Sequence, residues 1–270
     1  MMENAYPAPR HLLRTVLLAL FVAQFIVWPL VGLLDPHLGI AATELSIVGF
    51  MALYLRRNRL LVEDALLLNA APRSTLIAVV PTALAGGLLV AEFDLYVNDL
   101  LRSIDWSAPI SLQRNALQIQ IIGDFWQIPK VVAAVAFLPA ACEELFFRGL
   151  VFTSLYAHGG PKRALLLSAF LFAAAHFNPW QLPALFALGL LLAALTYWSH
   201  SIYPAMLAHC LNNALSIAGV NARAHWGIDA LSISTHMPIA ILMFSALVFC
   251  GGLYVVSRST PIMPLPQRSY

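Results

Sequence analysis

The feature that most constrains this chain is a series of apolar runs separated by short charged or Pro/Gly-rich breaks. Each run is about 15 to 25 residues long, enough to cross a hydrocarbon core of about 30 Å as an α-helix. The composition agrees, since 60% of the residues are hydrophobic and 10% are charged, against roughly 25% charged in a soluble domain. We therefore predict an all-α, polytopic transmembrane helix bundle.

The runs predict about eight spans, and with eight spans the clusters of arginine and lysine fall on one side of the membrane. The positive-inside rule makes that side cytoplasmic, so we predict that both termini are cytoplasmic. The approximate spans are 12–34, 38–55, 75–92, 128–156, 164–177, 181–199, 202–220 and 237–257.

We divide the chain into three parts. Residues 1–125 hold the N-terminal spans, a segment at 60–71 that suits either the membrane interface or a simple loop, and a long extracytoplasmic stretch at 94–126. Residues 126–220 form the candidate catalytic core, because the polar motifs lie there. Residues 221–270 hold a loop, the last span and the tail.

The fourth predicted span contains three ionisable residues, Glu143, Glu144 and Arg148. Such a residue costs about 2.5 to 3.5 kcal/mol to insert, so it persists where it is paired, faces a wet cavity or takes part in function. Glu144 and Arg148 are four residues apart on one helix face and suit an internal ion pair. Glu143 points about 100° away and has no partner nearby in the sequence.

Two further spans carry polar residues at helical spacing. Phe172 and His176 share a face of the fifth span, and His209 and Asn213 place an imidazole beside a carboxamide on the seventh. Polar groups on three separate helices predict convergence on one cavity.

Such a cavity has the groups that amide hydrolysis requires. Glu143 and His176 could hold and deprotonate a water molecule, and His209 and Asn213 could donate hydrogen bonds to a developing oxyanion. Zinc is an alternative, since Glu143, His176 and His209 are a plausible ligand set, although no H-E-x-x-H pair is present. We favour no cofactor, with zinc as the alternative.

Three motifs, in this order on successive spans, resemble a known signature: Glu143-Glu144-x-x-x-Arg148, Phe172-x-x-x-His176 and His209-x-x-x-Asn213. They are similar to those of the CPBP family, also called Abi or CAAX-protease-like intramembrane endopeptidases, over about 128–218. The resemblance implies a glutamate-type or metal-dependent peptidase that cuts a membrane-associated substrate near its C-terminus, and we favour the glutamate type.

Carried over residue by residue, the resemblance assigns a role to each motif position. Glu143 and His176 would activate water, and His209 and Asn213 would stabilise the tetrahedral intermediate. Three residues would be supporting: Glu144, Arg148 and Phe172.

The expected partners are a membrane-anchored protein or peptide substrate and the lipid bilayer, and a net charge of +2 with scattered basic residues argues against nucleic acid. A bacterial cytoplasmic membrane is expected, because the chain shows no organelle-targeting features. Two alternatives stay open. One is a proton- or ion-coupled transporter, disfavoured because the intramembrane polar residues are confined to one half of the chain; the other is a non-catalytic immunity or scaffold protein.

Overall fold

The computed structural model describes residues 9–228 and 235–259, and within these ranges every regular element is helical. Helix starts follow local rules: the Asp35 side chain accepts hydrogen bonds from the backbone N–H groups of His37 and Leu38, and Pro36 occupies the first turn. The helices of the first half are α1 (Pro9–Val22, continued by a π-helical Ala23–Val27 and by Trp28–Gly32), α2 (Pro36–Arg57), α3 (Val62–Leu66), α4 (Arg73–Ser103) and α5 (Ile110–Gln118).

The second half begins with a 3-10 turn at Phe125–Gln127 and a long helix interrupted by two π-helical turns. This helix bends where Gly160 adopts a positive φ of 72° ahead of Pro161, and we call the parts before and after the bend α6 and α7. The segments are Ile128–Val131, Val132–Phe137, Leu138–Glu144, Leu145–Val151 and Phe152–Ala175 for α6 and α7 together, then α8 (Leu182–Ser199), α9 (Tyr203–Trp226) and α10 (Ile239–Arg258).

The predicted all-α class is confirmed, and the long helices of the described ranges, α1, α2, α4 and α6 to α10, correspond to the eight predicted runs. Five segments are long and apolar enough to cross a membrane, which indicates an integral membrane protein: Arg10–Gly32, Pro36–Arg57, Arg73–Ser103, Leu182–Ser199 and Ile239–Arg258. The span count and the sides of the termini stay predictions. Residues 1–8 and 260–270, which include both termini, lie outside the described ranges.

One predicted boundary and one predicted segment differ from the structure. The third run was predicted to end at 92, but α4 continues to Ser103, so the first part of the predicted 94–126 stretch is helix. Its polar residues, such as Asp94 and Asn98, interrupt the apolar pattern without ending the helix. The segment at 60–71 contains α3, whose last residue Leu66 is buried in the core of the bundle together with the following Leu67.

The buried core includes Glu144 and Arg148 of α6 and Phe172 of α7, so residues of the first two motifs lie inside the bundle. Close approach of α7 and α8 depends on Gly189, where an added Cβ would lie 3.0 Å from the Cα of Ala169. At the periphery, α10 packs against α4 and exposes large apolar side chains such as Phe244 and Leu247. Apolar side chains turned outward suit a bilayer as the surrounding solvent.

His236 connects the segment before α10 to the end of α4 through hydrogen bonds. The His236 ring lies 2.8 Å from Glu92 Oε1 through Nδ1 and 2.8 Å from Asp99 Oδ2 through Nε2. The backbone N–H of Met237 also donates to Glu92 Oε2 at 3.0 Å. Hydrogen bonds to Asp99 and then to Glu92 raise the pKa of His236, because only the imidazolium donates from both nitrogens.

We expect this attachment to weaken at alkaline pH. A raised folded-state pKa gives stability that is fully present below the unfolded value of about 6.5 and is lost as pH rises through the folded pKa. Amide hydrogen exchange at Met237, corrected for intrinsic rates, should therefore be faster at about pH 9 than at about pH 6. His236→Gln should exchange quickly at both values, and equal protection of the wild-type segment at both would contradict the expectation.

Candidate active site

The four predicted catalytic side chains line one cavity. Glu143 of α6, His176 at the end of α7, and His209 and Asn213 of α9 all contribute to a cavity of about 860 Å³. The predicted convergence of three helices on one site is therefore present in the structure. A volume of this size falls in the range of pockets that bind small molecules or peptide side chains, roughly 300 to 1,000 Å³.

The predicted ion pair between Glu144 and Arg148 is formed and fully buried. Arg148 Nη1 donates to Glu144 Oε1 at 2.8 Å, and Nη2 donates to the backbone carbonyl of Gly189 at 3.1 Å. The guanidinium also lies over the ring of Phe172, 4.3 Å from its centroid. Arg148 therefore joins α6 to both α7 and α8.

Glu144 makes a second contact that helix spacing alone does not predict. His209 Nδ1 lies 2.9 Å from the same Oε1 atom that accepts from Arg148, although His209 belongs to α9. Since a carboxylate is an acceptor, Nδ1 carries the proton, and Nε2 is the ring nitrogen left for the cavity. Glu144 thus fixes the orientation of a proposed oxyanion donor.

Phe172 and the local backbone orient His176. Its Nδ1 lies 2.9 Å from the carbonyl oxygen of Phe172, so Nδ1 donates and Nε2 of the neutral ring is an acceptor. The buried Phe172 ring packs edge-on against both His176, at 5.0 Å between centroids, and His209, at 5.6 Å. These contacts are consistent with its predicted supporting role.

Asn213 is held by the irregular backbone of α6. Its Nδ2 donates to the carbonyl oxygen of Val135 at 3.2 Å, within the π-helical Val132–Phe137. A π-helical turn shifts the regular backbone pairing and leaves a carbonyl free for a side chain. The carboxamide nitrogen has two N–H groups, so one stays available to the cavity.

A second glutamate lies beside Glu143, and sequence reasoning did not single it out. The carboxyl of Glu44, on α2, is close enough to that of Glu143 for a hydrogen bond, and Glu44 is only 6% exposed. Glu44 lies inside the predicted span 38–55, so its charge was itself a signal of function. With Glu92 of α4, it also contradicts the expectation that intramembrane polar residues are confined to one half of the chain.

A small cavity of about 30 Å³ lies between these carboxyl groups and the first histidine. Its polar lining is Gln24, Glu44, Glu143 and His176. One water molecule needs roughly 10 to 15 Å³ of such space together with two to four polar partners. The site can therefore hold a water molecule next to Glu143 and His176.

The alternative zinc set does not form a metal site in this conformation. Across the described ranges, no three His, Cys, Asp or Glu side chains are grouped so that they could hold a metal ion. Glu143 and His176 face the small cavity, whereas His209 is turned toward Glu144 through Nδ1. All three residues nevertheless line the large cavity, so the choice between no cofactor and zinc stays a prediction.

Comparison with known families gives one match. Residues 125–215 match the family described as Rce1-like, type II CAAX prenyl endopeptidase Rce1-like, over about a third of the chain. Neither curated proteins nor solved structures gave a match. The match includes all three motifs and confirms the resemblance to CAAX-protease-like proteins. It suggests CAAX-type intramembrane protease activity on a membrane-associated protein or peptide.

Proposed function

We propose that this protein is a glutamate-type intramembrane endopeptidase that hydrolyses a peptide bond near the C-terminus of a membrane-anchored substrate. The observation that carries the proposal is the meeting of Glu143, His176, His209 and Asn213 in one cavity, inside a region that matches a CAAX endopeptidase family. The bacterial cytoplasmic membrane is the proposed location.

Glu143 and His176 are proposed to activate the water molecule. Both line the small cavity, so a water molecule there can donate one hydrogen to the Glu143 carboxylate and the other to His176 Nε2. As the water oxygen attacks the scissile carbonyl carbon, Glu143 accepts a proton. The same proton then passes to the leaving amine when the C–N bond breaks.

His209 and Asn213 are proposed to stabilise the oxyanion. Asn213 offers its second N–H directly, whereas His209 can donate from Nε2 only as an imidazolium, because Nδ1 already donates to Glu144. The Glu144 carboxylate stabilises that imidazolium at 2.9 Å. Glu144 is therefore proposed to set the charge of His209 as well as to pair with Arg148.

Apolar walls surround the polar groups and suit an apolar stretch of substrate. Side chains such as Leu88, Leu185, Leu188 and Leu215 line the large cavity together with the catalytic group. A substrate tail with aliphatic side chains near the scissile bond would displace water from these walls and gain roughly 25 cal/mol per Å² of apolar surface buried.

Asn213→Ala tests the oxyanion role. Loss of one preorganised donor is expected to lower kcat about 10²- to 10³-fold with little change in KM. The assay uses protein in proteoliposomes with membrane-anchored reporter peptides carrying varied aliphatic C-terminal tails, and mass spectrometry locates the cut. Asn212→Ala is the matched control: it removes a long 3.5 Å hydrogen bond to Asn213 Oδ1 but leaves the Asn213 N–H donors in place, so it should keep most of the activity.

Two outcomes would count against the proposal. Equal losses in the Asn212 and Asn213 variants would remove the specific role of Asn213. Intact reporters with the wild-type protein under every condition would favour the transporter or the non-catalytic alternative.

A further inference from the structure

Glu44 lies among the proposed catalytic residues, but the proposed mechanism gives it no role. It projects from α2 and lines both the large cavity and the small one that it shares with Glu143 and His176. The Oε2 atoms of Glu44 and Glu143 are buried and lack a hydrogen-bond partner among the described residues. Two carboxyl groups thus face one water-sized space.

The two cations of α6, Lys130 and Arg148, bond to groups other than this pair. Arg148 is held by Glu144 and by the carbonyl of Gly189, and Lys130 by Asp35 at the start of α2. Gln24, the polar residue that α1 contributes to the small cavity, is neutral. The titratable groups that face Glu44 or share its cavities are Asp94, Cys142, Glu143, His176, His209 and Arg223.

Two carboxylates in contact repel, and a hydrogen bond between them requires that one carries a proton. A protonated carboxyl donates to the ionised one and leaves a single negative charge on the pair. This arrangement removes the repulsion and retains one base. It also uses the close approach of the two side chains, for which the predicted roles of Glu143 alone give no reason.

We propose that Glu44 is a positioning residue for hydrolysis, whose carboxyl group holds one proton in a hydrogen bond with Glu143 and thereby keeps Glu143 ionised and aimed at the water. The inference rests on the proposed endopeptidase function. It adds a second carboxyl group, from the N-terminal half of the chain, to a site otherwise built from α6, α7 and α9.

The protons balance through one catalytic cycle. The resting pair carries one proton; an O–H bond of water breaks as its oxygen bonds the carbonyl carbon, the proton moves to the ionised carboxylate, and the carbonyl π electrons move to oxygen. When the oxyanion collapses, the C–N bond breaks with its electron pair on nitrogen. One proton of the pair bonds that nitrogen, and the pair returns to a single proton.

Glu44→Leu is the test, because leucine has a similar size but can neither donate to Glu143 nor hold the shared proton. We expect kcat to fall about tenfold to a hundredfold with KM unchanged. The pH profile of kcat/KM should lose the limb that reports the second ionisation of the pair. Glu44→Asp should restore part of kcat and that limb.

Tyr54→Phe is the matched control, since it removes from the same helix a buried hydroxyl that has no hydrogen-bond partner among the described residues and lies away from both cavities. It should leave kcat and the pH profile unchanged. A wild-type kcat and pH profile for Glu44→Leu would overturn the inference. If that variant failed to fold, a wild-type pH profile for Glu44→Gln, which can donate to Glu143 but cannot hold the shared proton, would overturn it. An inactive Glu143→Gln beside a wild-type-like Glu44→Leu would leave the proposed function standing, whereas activity in both would overturn the function itself.

Discussion

Glu143→Gln is expected to abolish measurable cleavage, lowering kcat by at least about 10²- to 10⁴-fold, the range that a positioned general base contributes. Glutamine fills the same volume but cannot accept a proton from water. Unlike Glu144, Glu143 is not bonded to Arg148, and its Oε2 lacks a hydrogen-bond partner within the described residues. Folding should therefore tolerate the change, and the melting temperature in detergent should equal or exceed that of the wild type.

Glu92→Gln serves as the matched control. Glu92 is a buried glutamate, 4% exposed, that lies on α4 and bonds His236 outside the catalytic cavity. It should keep its activity while Glu143→Gln and Glu143→Ala lose theirs. Undiminished cleavage in both Glu143 variants would remove the assigned base. Stoichiometric zinc in active protein, lost together with activity on chelation, would overturn the glutamate-type mechanism.

The helices were predictable because the length of an apolar run and the requirement for satisfied backbone groups in a bilayer leave few choices. Contacts within one helix were equally predictable from the sequence. Helical geometry places residues four apart on one face, so the Glu144–Arg148 pair and the shared face of Phe172 and His176 followed directly from spacing.

Contacts between helices were not predictable in the same way. The bond from His209 to Glu144 and the approach of Glu44 to Glu143 depend on how α9 and α2 rotate against α6. The π-helical turns of α6 change that register further, and the sequence alone does not specify their positions. The position of Glu44 within a span was a visible signal, but its partner was not.

The end of α4 shows where apolar run length fails to predict a helix boundary. Polar residues at 94–103 resemble a loop when apolar run length is the criterion, yet Glu92 and Asp99 take part in the attachment of His236, and Asp94 lines the large cavity. A helix that leaves the apolar part of a bundle can continue with polar side chains, because neighbouring elements satisfy them. Run length therefore underestimates such helices.

Arg148→Leu should cause the largest loss of stability, lowering the free energy of unfolding by about 3 to 5 kcal/mol, as when one partner of a buried pair is removed. Both side chains are 0% exposed, so the variant leaves the Glu144 carboxylate short of its compensating charge and the Gly189 carbonyl without its donor. Chemical unfolding in mixed micelles measures the change. Arg102→Leu, which breaks an exposed pair with Asp99, should leave stability nearly unchanged.

The double variant Glu144→Leu/Arg148→Leu separates support from chemistry. Removing both charges avoids an uncompensated ion, so much of the stability lost in Arg148→Leu should return, with a coupling energy of about 0.5 to 3 kcal/mol in the double-mutant cycle. Activity should not return, because His209 loses the carboxylate that holds its Nδ1. Recovery of cleavage along with stability would mean that Glu144 acts on folding alone and that His209 donates to the oxyanion without it.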